Sequence, residues 1–154
     1  MSSTFNYEIR PARLTDAKAI ADIDATNDKA YWREAIEFNE PQIYMALDLG
    51  EAIGFVGFDR SRDKGTPPTT GEIWAIHVVA SHWGKGVGLA LWDAAREGLQ
   101  EEGCNTVTLW LPLGNERALR FFELAGFKRE MASIKTVPKG SVRIEEIRLK
   151  RGFE

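Results

Sequence analysis

At residues 83–89 the chain reads Trp83-Gly84-Lys85-Gly86-Val87-Gly88-Leu89, with three glycines at alternate positions. A run typical of a β-strand precedes this stretch at 72–79, and a run typical of an amphipathic helix follows it at about 89–101. Backbone N–H groups at the start of a helix have no intrahelical partner, and glycine allows a ligand to approach them closely. Strand, glycine loop and helix together predict a site for a ligand that contains phosphate.

The spacing of the glycines excludes two common phosphate-binding motifs. A P-loop requires Ser or Thr directly after its lysine, to hold magnesium, but Gly86 follows Lys85. The dinucleotide-binding fingerprint requires its third glycine three residues after the second, whereas Gly84, Gly86 and Gly88 are spaced by two. Neither kind of nucleotide-binding protein is indicated.

The composition is that of a soluble globular protein, and we predict a single domain over 1–154. The hydrophobic fraction is 44% and the charged fraction 28%. No apolar run approaches the roughly 18 residues that cross a bilayer, and the first residues lack the basic and apolar regions of a signal peptide. Cys104 is the only cysteine, which is compatible with the cytoplasmic location that we expect.

The net charge and the small number of histidines narrow the classes of partner and ligand that we expect for this chain. The net charge is −3 without a basic block, so we expect neither nucleic acid nor a membrane as a partner. The two histidines, His77 and His82, lack further ligands at metal spacing, so we expect no metal. A mildly acidic chain is slightly better suited to a cationic small substrate.

Hydrophobic periodicity predicts a mixed α/β fold with a largely antiparallel central sheet flanked by helices. The segment from 72 to 111 is the one good candidate for a parallel crossover. The predicted strands lie at 5–10, 43–47, 52–59, 72–79, 107–111, from 127 onward and at 141–149, and the predicted helices begin near 15, 31, 89 and 115.

The glycine stretch resembles the acetyl-CoA-binding segment of the GCN5-related N-acetyltransferases. That signature has Arg or Gln, two residues, Gly, one residue, then Gly or Ala, and its small positions correspond to Gly86 and Gly88. A second family element, Asn-x-x-Ala-x-x-Phe-Tyr followed by Gly-Phe, is matched by Asn115, Ala118, Phe121, Phe122, Gly126 and Phe127. The resemblance covers nearly the whole chain and implies the acyl-CoA N-acyltransferase-like fold.

The resemblance also implies a function, which is transfer of an acetyl group from acetyl-CoA to a primary amine of a small molecule or peptide by direct attack. Trp83 stands where Arg or Gln is usual, and Phe122 stands where many members have the tyrosine that protonates the departing thiolate. An acyl-CoA-binding module without catalytic activity therefore remains an alternative. A homodimer is expected only because dimers are frequent in the family.

The residues that the resemblance assigns to acetyl-CoA belong to the strand end, the glycine loop and the second element. Val78 and Val79 would bind the pantetheine arm through their backbone, and the loop would surround the pyrophosphate. The full set is His77, Val78, Val79, Trp83, Gly84, Lys85, Gly86, Val87, Gly88, Leu89, Asn115, Ala118, Phe121 and Phe122.

Glu72 is the candidate catalytic base, because family members often have their catalytic glutamate at this spacing before the glycine loop. A base is needed because an alkyl ammonium group has a pKa near 10, so little free amine exists at neutral pH. The alternative for Glu72 is a solvent-facing residue at a strand edge, and His77 is a rival base. The backbone N–H of Val78 would stabilise the oxyanion.

The acceptor site is expected near the first helices. Asp28 and Trp32 are the candidate substrate-binding residues, because carboxylates beside an aromatic ring suit a cationic amine such as a polyamine or an amino sugar. Asp24, Glu34 and Glu37 lie in the same region. The alternative is an acidic helix face that is simply solvated.

Overall fold

The computed structural model describes residues 7–153, which form two compact units. The first unit consists of the described residues up to Asp59 together with Ile73–Glu102, and the second of Arg60–Glu72 together with 103–153. The single domain that the sequence predicts stays a prediction. No helix among the described residues is long and apolar enough to cross a membrane.

The first unit contains most of the helices. Its elements are β1 (Glu8–Pro11), α1 (Ala17–Ile23) after a 3₁₀ turn (Leu14–Asp16), α2 (Lys29–Phe38), β2 (Gln42–Asp48), β3 (Glu51–Arg60), the greater part of β4 (Thr70–Val78), a 3₁₀ turn (Ala80–His82) and α3 (Val87–Glu101). Its strands are ordered β1-β2-β3-β4, and β2 pairs antiparallel with both β1 and β3.

The hairpin between β2 and β3 is closed by a tight turn. Leu49 and Gly50 both have positive φ, at 52° and 84°. Positive φ at both central residues is the signature of a type I′ turn, whose twist matches that of the flanking strands. The break between the predicted strands at 43–47 and 52–59 is therefore this turn, with Leu49 fully exposed.

The core of the first unit gathers side chains from the first helices and the strands. Its members are Ala17, Ile20, Trp32, Ala35, Ile43, Met45, Leu47 and Phe55. On α3 the buried residues recur at helical spacing and are Val87, Leu91, Trp92, Ala95 and Leu99. Helix α3 approaches β3 closely at two glycines, because a Cβ built on Gly98 would lie 2.7 Å from the Phe58 ring and one on Gly54 would lie 3.3 Å from Leu91.

The second unit is mostly β-structure. It contains the first three residues of β4, then β5 (Thr106–Pro112), α4 (Glu116–Leu124), β6 (Lys128–Lys139) and β7 (Val142–Gly152), with the strands ordered β4-β5-β7-β6. Strands β4 and β5 pair in parallel, from Thr70 opposite Thr106 to Glu72 opposite Thr108. The other pairs in this unit are antiparallel. The predicted parallel crossover and largely antiparallel sheet are confirmed.

Both ends of α4, the helix predicted to begin near 115, are closed by capping motifs formed by residues of the second family element. Asn115 caps the first turn, its Oδ1 accepting the Ala118 N–H at 3.2 Å. At the other end Gly126 has φ +97°, and the Phe127 N–H donates to the Phe122 carbonyl at 3.0 Å. This is a Schellman motif, and the usual apolar contact accompanies it, because the Phe122 and Phe127 rings lie 5.3 Å apart.

The structure shifts several predicted boundaries. Helix α3 begins at Val87, so the last three residues of the glycine stretch are helical. Helix α2 begins at Lys29, ahead of the predicted start near 31, because Asp28 caps its first turn, and it ends at Phe38, where Asn39 adopts a left-handed conformation with φ 54°. Strand β1 begins at Glu8, and Phe5, which the sequence assigns to this strand, lies outside the described residues.

Candidate functional site

The glycine loop of the first unit leads directly into α3. Gly84 and Gly86 have φ values of +74° and +84°, a region that L side chains rarely occupy. Gly86 is the N-cap of α3 and provides no side chain to cap it, and the first helical bond runs from the Ala90 N–H to the Gly86 carbonyl. The N–H groups of the first turn therefore have no intrahelical acceptor, and the helix dipole makes this end attractive to an anion.

Trp83 bends back onto the end of β4. Its indole Nε1–H donates to the Val78 carbonyl at 2.7 Å, while the Trp83 residue remains 47% exposed. The Val79 N–H donates to the Ile53 carbonyl at 2.9 Å, and the Val79 carbonyl accepts the His82 N–H at 2.9 Å. Several backbone groups that the family resemblance assigns to the pantetheine arm thus have protein partners, although a carbonyl oxygen can accept a second hydrogen bond.

His82 fastens the 3₁₀ turn before the loop to the β2–β3 hairpin. Its Nε2 lies 2.9 Å from Asp48 Oδ2, and its Nδ1 lies 2.9 Å from the Ser81 hydroxyl. Both ring nitrogens are therefore engaged. This tether orients the start of the glycine loop, and no local sequence pattern pointed to it.

His77, on β4, faces a buried carboxylate. Its Nε2 lies 3.6 Å from Asp24 Oδ2, and its side chain is 46% exposed whereas that of Asp24 is 8% exposed. The other Asp24 oxygen accepts the Thr26 N–H at 2.9 Å. The imidazole also lies against Phe55, with 5.6 Å between ring centroids. Asp24 is thus not part of a solvated acidic face.

The two residues predicted to bind the acceptor make contacts within the protein: one caps a helix and the other packs in the core. Asp28 is the N-cap of α2, its Oδ1 accepting the Tyr31 N–H at 2.9 Å. Trp32 is 2% exposed and packs edge-on against Phe55 at 5.2 Å between ring centroids. Its Nε1 is the one buried side-chain N or O atom of residues 7–153 that lacks a hydrogen-bond partner. Their role in substrate binding stays a prediction.

Glu72 lies in the second unit and is buried, with 2% of its surface exposed, so the solvent-facing alternative is wrong. Its Oε1 accepts the backbone N–H of Arg62 at 2.9 Å, and its Oε2 accepts Arg62 Nη2 at 2.8 Å. The carboxylate is therefore held by one residue through both main chain and side chain. Its role as a base stays a prediction.

The α4 residues of the second element also lie in the second unit. Phe122 is 2% exposed and is flanked by Phe121 and Phe127, with ring centroids 5.0 Å and 5.3 Å away. The Asn115 side chain is used in the helix cap. Phe122 is thus a core residue, and its proposed contact with acetyl-CoA stays a prediction.

A polar network that the sequence did not indicate fixes the segment between β3 and β4. The Trp110 Nε1–H is shared between the two Asp63 oxygens at 3.2 Å each, and Arg148 Nη1 lies 3.1 Å from Asp63 Oδ2. The hydrogen bond to Glu130 and the contact with Asp63 raise the pKa of Arg148 despite its partial burial. Lys135 Nζ lies 3.9 Å from the centroid of the Trp110 ring. Among residues 7–153 no group of three or more His, Cys, Asp or Glu is arranged to hold a metal.

Comparison with known proteins identifies the family. Residues 7–127 match the sequence profile of the Acetyltransferase (GNAT) family. The chain belongs to this family. The resemblance carried by Gly86, Gly88 and the Asn115 element is therefore confirmed at the level of the family.

The curated relatives of this GNAT chain are named acetyltransferases. It is 32% identical over 99 residues to a mycothiol acetyltransferase of Paenarthrobacter aurescens, a match that covers 63% of this chain and 31% of the relative. It is 29% identical over 107 residues to an uncharacterized N-acetyltransferase of Archaeoglobus fulgidus, covering 66% and 69%. The chain thus spans about a third of the length of the mycothiol acetyltransferases that it matches.

Solved structures share the fold. An N-acetyltransferase from Staphylococcus aureus Mu50 has a TM-score of 0.81 at 23% identity and covers 97% of this chain and 100% of its own. A putative acetyltransferase from Salmonella typhimurium, solved with its cofactor acetyl-CoA, has a TM-score of 0.80 at 20% identity, covering 97% and 95%. At these identities the likeness shows that this GNAT chain has the same fold.

Proposed function

We propose that this GNAT chain is an acetyl-CoA-dependent N-acetyltransferase that acts on a primary amine of a small molecule or peptide. The observation that carries this proposal is the start of α3, where a glycine N-cap without a side chain opens a helix of 15 residues. Such a terminus presents bare N–H groups to an anion. Membership of the family makes the pyrophosphate of acetyl-CoA the proposed anion.

The neighbouring residues fit a phosphate ligand. Lys85 is exposed beside Gly84 and Gly86, and at Gly84 a built Cβ would meet nothing within 4 Å. The loop is therefore open on that side. The proposed contacts with the pantetheine arm use the backbone of Val78 and Val79, where the Val78 carbonyl would accept a hydrogen bond in addition to that from Trp83.

The proposed reaction is one direct displacement. The amine nitrogen forms a bond to the thioester carbonyl carbon, the C–S bond breaks, and its electron pair leaves with the sulfur of CoA. The proton of the attacking amine passes to a base. A thiolate whose thiol has a pKa of about 8.5 can leave without a protein acid, which is compatible with Phe122 in place of tyrosine.

Thiol release from acetyl-CoA tests the proposal directly. We would measure it with spermidine, glucosamine and a short peptide with a free α-amine, and follow slow hydrolysis with water as acceptor. Acetylated product from at least one amine is expected. Release of no thiol under any of these conditions contradicts the proposed activity.

Two glycine variants test the loop. Gly86→Val replaces a glycine with φ +84° at the start of α3, and Gly103→Val replaces one with φ +87° just beyond its other end. Both introduce similar backbone strain, but only the first obstructs the proposed pyrophosphate site. We expect Gly86→Val to abolish the thermal stabilisation by CoA and Gly103→Val to retain it. Equal stabilisation of both variants would contradict the assignment.

A second candidate is an acyl-CoA-binding module without catalysis. The observation in its favour is Phe122, which provides no hydroxyl and is buried between two other aromatic rings. Tight CoA binding without thiol release on any amine would support it. Three further proposals need tests other than these assays. They are the contact of the acceptor amine with Asp28 and Trp32, a homodimer, and a cytoplasmic location.

A further inference from the structure

We propose that His77 is the catalytic base of this reaction and that Asp24 is its positioning residue. This inference rests on the proposed acetyl transfer. It differs from the assignment of the base to Glu72, and the contacts of the two candidates distinguish them.

The surroundings of His77 match what a base requires. The imidazole is half-exposed, so an amine can reach it, and its Nε2 lies 3.6 Å from the buried Asp24 carboxylate. Its Nδ1 has no hydrogen-bond partner among residues 7–153. A base that is accessible on one side and oriented by a buried group on the other is the usual arrangement in enzymes that use histidine.

The Asp24 carboxylate faces Nε2 of His77 at 3.6 Å. An ionised carboxylate only accepts hydrogen bonds, so it favours the neutral tautomer that carries the proton on Nε2 and keeps the lone pair on Nδ1. Asp24 is itself fixed, since the Thr26 N–H donates to its other oxygen at 2.9 Å. Phe55 packs against the imidazole, with 5.6 Å between the ring centroids.

The position of His77 in the chain brings it to the proposed thioester. It directly precedes Val78 on β4, and the pantetheine arm is proposed to lie along Val78 and Val79. The proton of the attacking amine moves to Nδ1 as the C–N bond forms and the C–S bond breaks. The imidazolium then faces the Asp24 carboxylate, which stabilises its charge, and returns the proton to solvent.

Glu72 lacks this freedom. The main chain and the guanidinium of Arg62 hold both its oxygens at 2.9 and 2.8 Å, and the residue is 2% exposed. These hydrogen bonds must break or be shared before the carboxylate takes a proton. We assign Glu72 to the anchoring of the segment that contains Arg62.

Kinetics with two substitutions test the inference. His77→Gln keeps the main chain of the strand that is assigned to acetyl-CoA, so we expect it to lower kcat about 100-fold with a Kd of CoA within about twofold. Asp24→Asn is expected to lower kcat about 10-fold. The matched control is Asp22→Asn, which removes an exposed carboxylate paired with Lys18 on α1 and is expected to retain wild-type rates.

The pH profile separates a catalytic role from a structural one. Asp24 presents its carboxylate to His77, and β3 contributes the uncharged Phe55. We expect His77→Gln to remove the acid limb of kcat/KM, and Asp24→Asn to lower kcat while the KM for acetyl-CoA stays within about twofold. Added imidazole is expected to restore activity to His77→Ala.

The outcomes are distinct. If the wild-type chain releases no thiol with any amine or with water, the proposed function fails and this inference fails with it. If the wild type is active and folded His77→Gln keeps its rate and acid limb, only the inference is overturned. A folded Glu72→Gln variant that loses its acid limb while His77→Gln retains it returns the base to Glu72.

Discussion

The indole Nε1 of Trp83 donates to the Val78 carbonyl oxygen at 2.7 Å, which connects the first residue of the glycine stretch to the last residue of β4. Many members of the family have Arg or Gln where this chain has Trp83. Here the side chain braces the loop against the strand instead. We infer that this hydrogen bond, called the brace below, holds the loop in the absence of the usual Arg or Gln.

Trp83→Phe removes the hydrogen bond and keeps an aromatic ring. Because the loop is then less preorganised, we expect the Kd of CoA to rise about fivefold, equivalent to a hydrogen bond of about 1 kcal/mol. Isothermal titration calorimetry would measure it. Trp110→Phe is the control, since it removes an indole that donates to Asp63 in the second unit. An unchanged or lower Kd in Trp83→Phe contradicts the role of the brace.

Phe122→Tyr restores the residue that many family members have. We expect kcat to stay within about threefold, because a thiolate leaving group with a thiol pKa of about 8.5 needs little help at neutral pH. The added hydroxyl in a buried position is expected to lower the free energy of unfolding by about 1–2 kcal/mol. Thiol-release kinetics and urea denaturation would measure both. A rise in kcat of more than about tenfold would show that protonation of the thiolate limits the reaction.

Asp16 provides a test of pH dependence. Burial raises the pKa of Asp16, but hydrogen bonds from the Arg10 guanidinium and the Arg13 N–H outweigh it and hold the pKa below 3.8. A carboxyl group whose pKa is lowered by folding stabilises the fold at any pH above its ordinary, unfolded-state pKa. This contribution is lost as the pH falls through the pKa of the folded state.

Asp16→Asn is therefore expected to lower the free energy of unfolding by about 1–3 kcal/mol at pH 7. The difference from the wild type should shrink as the pH falls below the ordinary Asp value of 3.8 towards the lower pKa of folded Asp16, where the carboxylate is protonated in the folded chain as well. Urea denaturation at several pH values would measure it. The exposed Asp22→Asn is the control, with an expected change below about 0.5 kcal/mol. A difference that is independent of pH would contradict the ion-pair explanation.

The substitution Gly98→Ala has two opposing effects on the stability of the fold at α3. Alanine favours a helix by about 1 kcal/mol over glycine, but its Cβ would lie 2.7 Å from the Phe58 ring, which is fully buried. We expect the clash to prevail, with a net loss of about 1–3 kcal/mol in the free energy of unfolding. Gly114→Ala, which meets nothing within 4 Å, is the control. Stabilisation by Gly98→Ala would show that the ring moves freely.

The sequence by itself determined the features that depend on local backbone chemistry. The glycines before α3, the Asn115 cap and the Gly126-Phe127 helix end each follow from what one or two residues allow the backbone to do. Periodicity predicted the strands and helices for the same reason, and the motifs identified the family. Boundaries shifted at helix starts, since α2 begins at Lys29 behind its Asp28 cap and α3 begins at Val87.

Only the tertiary structure decided how the side chains are used. It pairs His77 with Asp24, holds Glu72 by Arg62, uses Asp28 as a helix cap and buries Trp32. No local pattern encodes these contacts, because partners such as His77 and Asp24 lie far apart in sequence and meet only when the elements pack. The glycine loop could thus be predicted from its own residues, whereas the chemistry beside it depends on packing.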